Sequence, residues 1–444
     1  MSRVARLPCD SGPAAWNELL PPAPSPRILD SHITADWLVI GAGFAGLAAA
    51  RRLTQLCSGD RIALVEAQRV GSGPAGRNSG FMIDLPHKLT AGNYAGAAAA
   101  DATQTEINRA AIDFAAGAAK EYGLGAEAFC LSGKVNGAAS SRGLAANAAY
   151  VRHLESLGEP YELLDAPAMQ ELTGSEYYLG GVFTPGAAMI QPAMFVRGIA
   201  AGIAGQVEIY ENSPVTGLSR RGGAWRAGSP SGSVTAPRVI LAVNGHVESF
   251  GYFRRRLVHI HLYASMTRAL TGEEVRRLGG APRWGVTPSD PIGSTVRRIS
   301  GTGGDRIVMR NRVTYDPGME TESARLSVMG ESHDRSVRKR FPQLNGVEME
   351  YRWGGRLCLS LNDVPAFGEI DEGLFAACCQ NGLGTTKGTA SGMLAADLAA
   401  QGNSPLVARM TTLDQPRRLP PEPVAWLGAT ATLKWREWRA GREI

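Results

Sequence analysis

The sequence predicts an α/β protein in which a parallel-sheet domain is interleaved with an antiparallel-sheet domain. Three observations predict it. The apolar run Trp37-Leu38-Val39-Ile40 leads straight into Gly41-Ala42-Gly43-Phe44-Ala45-Gly46, then an Ala-rich stretch and a second apolar run ending in Glu66. Arg238 to Val243 is a continuous apolar run closed by the small turn Asn244-Gly245, the mark of a strand covered on both faces. Residues 251–354 instead alternate apolar and polar, as in Val258-His259-Ile260-His261-Leu262-Tyr263, which reads as an antiparallel sheet with one exposed face.

The first element is a βαβ unit with a glycine fingerprint. Gly41 allows the tight turn after the strand. Gly43 has no Cβ, so a pyrophosphate can approach the backbone. Gly46 lets the following helix pack close to the sheet. The helix start, at Phe44 and Ala45, offers free N–H groups and a positive dipole end to phosphate. Glu66, followed by Ala67, ends the second strand where ribose hydroxyls are expected. Together these positions imply a bound dinucleotide in a Rossmann-like domain.

The stretch after Glu66 is a glycine-rich loop, Val70-Gly71-Ser72-Gly73-Pro74-Ala75-Gly76-Arg77-Asn78-Ser79-Gly80. A simple nicotinamide-binding domain would enter its next helix here. A helix-breaking loop with one Arg and one Asn suits a longer cofactor. Residues 100–125 then read as one long helix, and a helix is expected around Ala145 to Leu157. Met189-Ile190-Gln191-Pro192 starts a helix through Ala201, followed by a strand at Val207 to Tyr210 and a hairpin around Arg221 to Gly232. Near the end, Gly373 to Cys379 is a buried strand. Gln380-Asn381-Gly382-Leu383-Gly384-Thr385-Thr386-Lys387-Gly388 turns it into a helix that runs to Leu398. This repeats the first motif: a helix N-terminus aimed at negative charge.

With 444 residues, two domains are expected. The net charge of +5 is small and spread along the chain, which argues against nucleic acid as a partner. Arginine outnumbers lysine 40 to 6, which we read as composition bias. The six cysteines lack CxxC spacing, so neither a metal site nor a disulfide framework is indicated, and the adjacent Cys378-Cys379 pair fits a reducing compartment. The chain has no apolar run of membrane-spanning length. Residues 1–30 lack the apolar core of a secretory signal. A cytoplasmic location is the expectation.

The glycine fingerprint, the G-R-N-S-G-F loop and the ordered series Trp353-Gly354-Gly355-Arg356, Pro365, Gly368 and Gly382-Leu383-Gly384 resemble the D-amino-acid-oxidase superfamily of FAD enzymes, which includes glycine oxidase, sarcosine oxidase and gamma-glutamylputrescine oxidase. The resemblance covers roughly residues 34 to 415. It implies FAD held by Gly41, Gly43, Phe44, Ala45, Gly46, Glu66, Ala67, Arg77, Asn78, Ser79, Gly80, Val215, Asn244, Gly245, Gly382, Leu383, Gly384, Thr385, Thr386 and Lys387. It also implies a division of the chain. Residues 34–92, 190–250 and 355–415 would form the FAD-binding domain and residues 93–189 and 251–354 the substrate-binding domain. Residues 1–33 would be an N-terminal arm and 416–444 a C-terminal tail. Relatives carry Ala-Ser where this chain has Pro74-Ala75, so the phosphate contact of that serine passes to backbone N–H groups or a neighbour.

The implied chemistry is oxidation of a small primary or secondary amine, an amino acid or an aminosulfonate. Hydride passes from the carbon beside nitrogen to flavin N5, and the imine is then hydrolysed. The electron acceptor is oxygen or another carrier. Oxidation of polyamine derivatives or N-methylated amino acids is the alternative, and a catalytically silent flavoprotein subunit a second one. His87, His259 and His261 are candidates for proton handling, each of which equally reads as a structural histidine. Lys387 reads either as an anion ligand or as a solvated lysine. Arg310, Arg356 and Arg77, with Tyr263, are candidates for holding an acidic substrate group. The tail, Pro420-Pro421-Glu422-Pro423 through Trp438, resembles that of a subset near the large subunit of taurine dehydrogenase. It could dock a small partner subunit, or pack as a helix on its own domain.

Overall fold

The computed structural model of the chain describes residues 2–86, 98–402 and 404–444. At its centre is a six-stranded sheet in the order Val207–Tyr210, Ile62–Val65, Trp37–Ile40, Arg238–Leu241, Leu374–Cys378 and Ala366–Asp371. All neighbours are parallel except the last hairpin. The apolar runs Trp37–Ile40 and Ile62–Val65 are buried at every position. Helices cover one face and the strands Gly217–Arg221, Ala224–Gly228 and Ser233–Ala236 the other, so neither face can carry a polar alternation.

Two helices set the geometry at the carboxyl ends of these strands. Phe44–Leu56 follows the strand Trp37–Ile40 and Thr386–Ala399 follows Leu374–Cys378. They pack against each other closely, because a Cβ at Gly392 would overlap the Ala45 carbonyl oxygen. Small residues at the crossing thus bring both helix starts to one place. The long helix Ala98–Glu121 packs on this pair through Ile107, Ala111, Ile112 and Ala115, which belong to the same core.

The second large sheet has eight strands, ordered Met349–Leu359, Val258–Thr267, Arg306–Tyr315, Thr295–Ile299, Trp284–Pro288, Lys134–Ala138, Gly180–Thr184 and Glu162–Asp165. It is antiparallel apart from the pair Trp284–Pro288 and Lys134–Ala138. The expectation of one exposed face fails. Strand Val258–Thr267 has no exposed position, and His259 and His261 are buried. The helix Ser323–Arg340 packs on one side of this sheet, and the other side closes a cavity. Of the polar positions in Val258–Thr267, His259 and His261 line that cavity, while Ser265 is hydrogen-bonded to His333 of the helix.

Three features differ from the division expected from the sequence. The boundary at 354/355 falls inside the strand Met349–Leu359, which pairs with Val258–Thr267 along its whole length. The helix Ala98–Glu121 packs on the first sheet's core, although residues 93–189 were expected with the second domain. The N-terminal arm is built into the fold. Ser2–Arg3 pairs with Gly217–Arg221, and His32–Thr34 pairs with Ser233–Ala236. Trp16 is fully buried, edge-on to Trp353, and its indole N–H donates to the Asn78 carbonyl at 2.9 Å. The tail forms the helix Val424–Ala440, which packs on its own domain: Arg312 and the Val313 N–H both donate to Glu437. No helix among the described residues is long and apolar enough to cross a membrane.

Candidate active site

One cavity of about 800 Å³ lies between the two large sheets. Its first wall is made by the strand ends and helix starts of the six-stranded sheet. Gly41, Gly43, Phe44 and Ala45 line it, as do Glu66, Ala67, Arg77, Asn78, Ser79, Gly80 and Val215. Asn244, Gly245, Gly382, Leu383, Gly384 and Thr385 complete this wall. Gly46, Thr386 and Lys387 do not line the cavity. Gly46 acts one layer back, since a Cβ there would overlap the Gly41 carbonyl oxygen. Lys387 lies within the first turn of the helix Thr386–Ala399, not in the preceding loop, and so does not line the cavity.

Neither helix start is capped by a side chain: Gly43 opens Phe44–Leu56 and Thr385 opens Thr386–Ala399. The first N–H groups of a helix have no intrahelical acceptor. At the second helix the Lys387 and Gly388 N–H groups donate to the Leu383 and Gly384 carbonyls, so the amides that face the cavity there are those of Gly384 and Thr385, and both helices turn positive dipole ends to one cavity. Glu66 sits between, half-buried, with Ala42 N–H donating to Oε2 at 2.7 Å and Gln68 N–H to Oε1 at 2.9 Å. Burial pushes its pKa up and these backbone donors oppose the shift. Backbone amides at two helix starts and a fixed, half-buried carboxylate are the donor and acceptor set that a dinucleotide's phosphates and ribose require.

The glycine-rich loop is held by groups the sequence did not single out. The Arg297 guanidinium donates to the carbonyls of Ser79 (2.8 Å), Gly80 (3.1 Å) and Ile190 (2.9 Å). It lies over the Trp16 and Phe81 rings, each centroid 5.4 Å away. No carboxylate among the described residues neutralises it. Burial pushes its pKa down to about 9, so it remains charged at neutral pH. Asn78 is turned into its own loop, donating to Ala75 O at 2.7 Å and accepting from Gly80 N–H at 2.8 Å. Arg77 clamps the N-terminal arm, donating to the carbonyls of Ser11 and Gly12 as well as Ser72 and Gly354.

The opposite wall is the antiparallel sheet. Arg310 lines it, with Nη2 donating to Thr295 Oγ1 at 2.7 Å. His261 lies on the same wall, its Nδ1 3.4 Å from Asp316 Oδ2. Burial works against the Asp316 charge, but hydrogen bonds from His261, Thr314 and Arg325 prevail and hold it below its ordinary value. His259 also lines the cavity and is tied to Glu248, Nε2 to Oε2 at 2.7 Å. Gly245 is small because of it: a Cβ there would stand 2.9 Å from His259 Nδ1.

Two expected substrate ligands are otherwise engaged. Tyr263 does not line the cavity, since its hydroxyl is hydrogen-bonded to Thr314 (2.7 Å) and Thr321 (3.2 Å). Arg356 does line it but is paired with Asp10 of the arm at 2.8 Å, and Arg77 stands 4.0 Å from the same carboxylate. Buried Asp10 thus offsets both cations. His87 lies outside the described residues.

His246 is a cavity residue that the sequence reading passed over. Its Nε2 accepts from Arg356 Nη1 at 3.0 Å. Burial, then the charges of Arg356 and His259, push its pKa down from 6.5 to about 3. The unfolded chain binds this proton near pH 6.5 and the folded chain does not. Stability is therefore complete above pH 6.5 and falls as pH drops toward 3, by up to about 1.4 kcal/mol per pH unit for one proton. Urea unfolding at stepped pH should show His246→Gln losing that share of the slope. An unchanged slope would refute the buried neutral imidazole.

Residues 36–398 match the family model described as "DAO: FAD dependent oxidoreductase". The chain belongs to the DAO family of FAD-dependent oxidoreductases. It is 26% identical over 390 residues to the gamma-glutamylputrescine oxidoreductase of Escherichia coli, covering 83% of this chain and 84% of that protein. It is also 26% identical over 408 residues to a probable oxidoreductase, OrdL, of Rhizobium meliloti, covering 88% and 89%. Among solved structures, glycine oxidase from Geobacillus kaustophilus superposes with a TM-score of 0.70 at 17% identity, covering 88% of this chain and all of that one. NikD, an amino acid oxidase of nikkomycin biosynthesis, superposes at 0.65 and 15%, covering 88% and 99%. These likenesses at low identity establish the shared fold. The cofactor of this DAO-family chain is FAD, and the uncapped helix starts and Glu66 suit it.

Proposed function

We propose that this DAO-family enzyme oxidises a small amine that carries an anionic group, an amino acid or an aminosulfonate. The observation that supports this reading is a single cavity with the dinucleotide-type wall on one side and Arg310 with His261 on the other. FAD would be held by the amides at the two helix starts, by Glu66 and by the backbone of residues 77–80. When bound, it supplies acceptance of hydride from the carbon beside the amine nitrogen. Arg310 binds the anionic group and so sets which carbon faces the cofactor. His261, oriented by Asp316, takes the ammonium proton so that the amine reacts in its neutral form. The two sheets exclude water until the product imine leaves to be hydrolysed.

A second reading draws on the similarity to gamma-glutamylputrescine oxidoreductase: a longer amine whose far end occupies the apolar part of the wall at Ile260, Leu262, Ile292 and Val313. Anaerobic addition of a panel separates the two, using glycine, sarcosine, D-alanine, taurine, putrescine and gamma-glutamylputrescine. Bleaching of the flavin band by one compound assigns the class, and reoxidation in air assigns oxygen as acceptor. A yellow protein that none bleaches would remove the substrate reading. Arg310→Met should raise KM for anionic amines by about tenfold to a hundredfold, the loss of one charge-assisted hydrogen-bonding group, and leave neutral amines unchanged. Equal effects on both would mean that Arg310 is not the anion site.

A further inference from the structure

We propose that the outer face of the carboxy-terminal helix docks this protein on an anionic lipid bilayer. The helix Val424–Ala440 has two different faces. The inner one, with Ala425, Ala429, Thr432 and Leu433, lines the cavity. The outer one exposes Leu427, Trp435 and Trp438, spaced at eight and three residues, which is one stripe of a helix. Trp438 is 79% exposed, and Trp426 is exposed on another side of the helix. Five of the eight tryptophans in the chain are buried, and the other three are all on this helix. An aromatic stripe of this kind suits the boundary between acyl chains and headgroups.

Charge decides the occupant. Each of the three glutamates of the segment 416–444 accepts hydrogen bonds from the protein. Glu422 accepts from the Tyr315 hydroxyl at 2.6 Å, and Glu437 from Arg312 at 3.1 Å. Glu443 accepts from Ala139 N–H at 3.0 Å and the Ser140 hydroxyl at 2.6 Å. The cations stay outside: Arg417, Arg418, Lys434 and Arg439 are exposed. Beside Trp438 a groove of about 540 Å³ is lined by Arg312, Arg335, Lys339 and Lys434, and its one acidic side chain, Glu437, is engaged by Arg312. Tryptophans next to the exposed ammonium groups of Lys339 and Lys434 complement anionic headgroups above an apolar layer. A second copy of the chain would set like charges against each other across a two-fold axis.

The test is flotation of the FAD-loaded protein with phosphatidylcholine vesicles, with and without equimolar phosphatidylglycerol. Flotation is expected only with the anionic vesicles, weakened by high salt, with tryptophan emission shifted to the blue. The Trp435→Ala/Trp438→Ala double variant should bind about tenfold more weakly, while retained flavin absorbance shows that it is folded. Lys339→Glu combined with Lys434→Glu supplies an independent variant, also expected to lose anionic binding. No flotation with either vesicle, or flotation that neither variant changes, overturns the proposal. Dimerisation of the free protein that the tryptophan variant abolishes, without vesicle binding, would assign the face to a second copy instead.

Discussion

Replacing Gly46 with alanine is expected to yield a protein that purifies without bound FAD. The obstacle is main chain. The new Cβ would overlap the carbonyl oxygen of Gly41, which is itself fixed at φ +101° with Ala242 close behind it. No side-chain rotation can relieve the overlap, so the helix Phe44–Leu56 must move away from the strand that feeds it. Its start then leaves the cavity wall, and with it the amides that face phosphate. Overpacking of this kind costs about 3 kcal/mol, or about a hundredfold in an equilibrium. The readout is the ratio of visible to ultraviolet absorbance after gel filtration, followed by titration with FAD. A G46A protein that holds FAD as tightly as the unaltered chain would mean that the helix start does not carry the cofactor.

Arg297→Met should produce a comparable loss by another route. Arg297 touches no part of the cavity, yet it holds three carbonyls of the loop and its neighbouring strand. Methionine keeps the packing against Trp16 and Phe81 but leaves those acceptors without their donor. A buried polar group so abandoned costs about 1–3 kcal/mol. The Gly80 carbonyl also accepts from Ile190 N–H, so about 3 kcal/mol in all is expected. The loop should loosen, FAD affinity should fall more than tenfold, and proteolysis should begin near residues 77–80. Arg297→Lys should recover only part of the loss, because the three carbonyls converge on Nη1 at the far end of the guanidinium and the shorter lysine also gives up the guanidinium plane over Trp16 and Phe81. Full FAD binding by the methionine variant would show that the loop stands without this clamp.

These two residues mark how much was legible in the sequence. Gly46 was legible because its reason is local: a strand, a tight turn and a helix within ten residues leave room for no Cβ. Glu66 and the final glycine turn at 382–384 were legible on the same ground. Arg297 was not. Its alternating strand reads as half exposed, and nothing in the chain says that the loop at 79–80, more than two hundred residues away, closes over it. Asp10 and Trp16 were hidden likewise, in a proline-rich arm that is held only by what it packs against. Asp10 changes the chemistry most, since it offsets Arg77 and Arg356, two of the cations expected to bind substrate.

By itself the sequence determined the dinucleotide-binding unit, the second flavin-side helix and the class of sheet that faces them. Each rests on periodicity and on glycine sterics over short spans, which are properties of local backbone. Only the tertiary structure decided which charges remain to meet a substrate, which polar strand residues face a cavity instead of water, and that the tail helix closes that cavity with one face while exposing tryptophan on the other. Those are outcomes of which segments meet. A side chain's charge and exposure depend on partners that the chain brings in from far away.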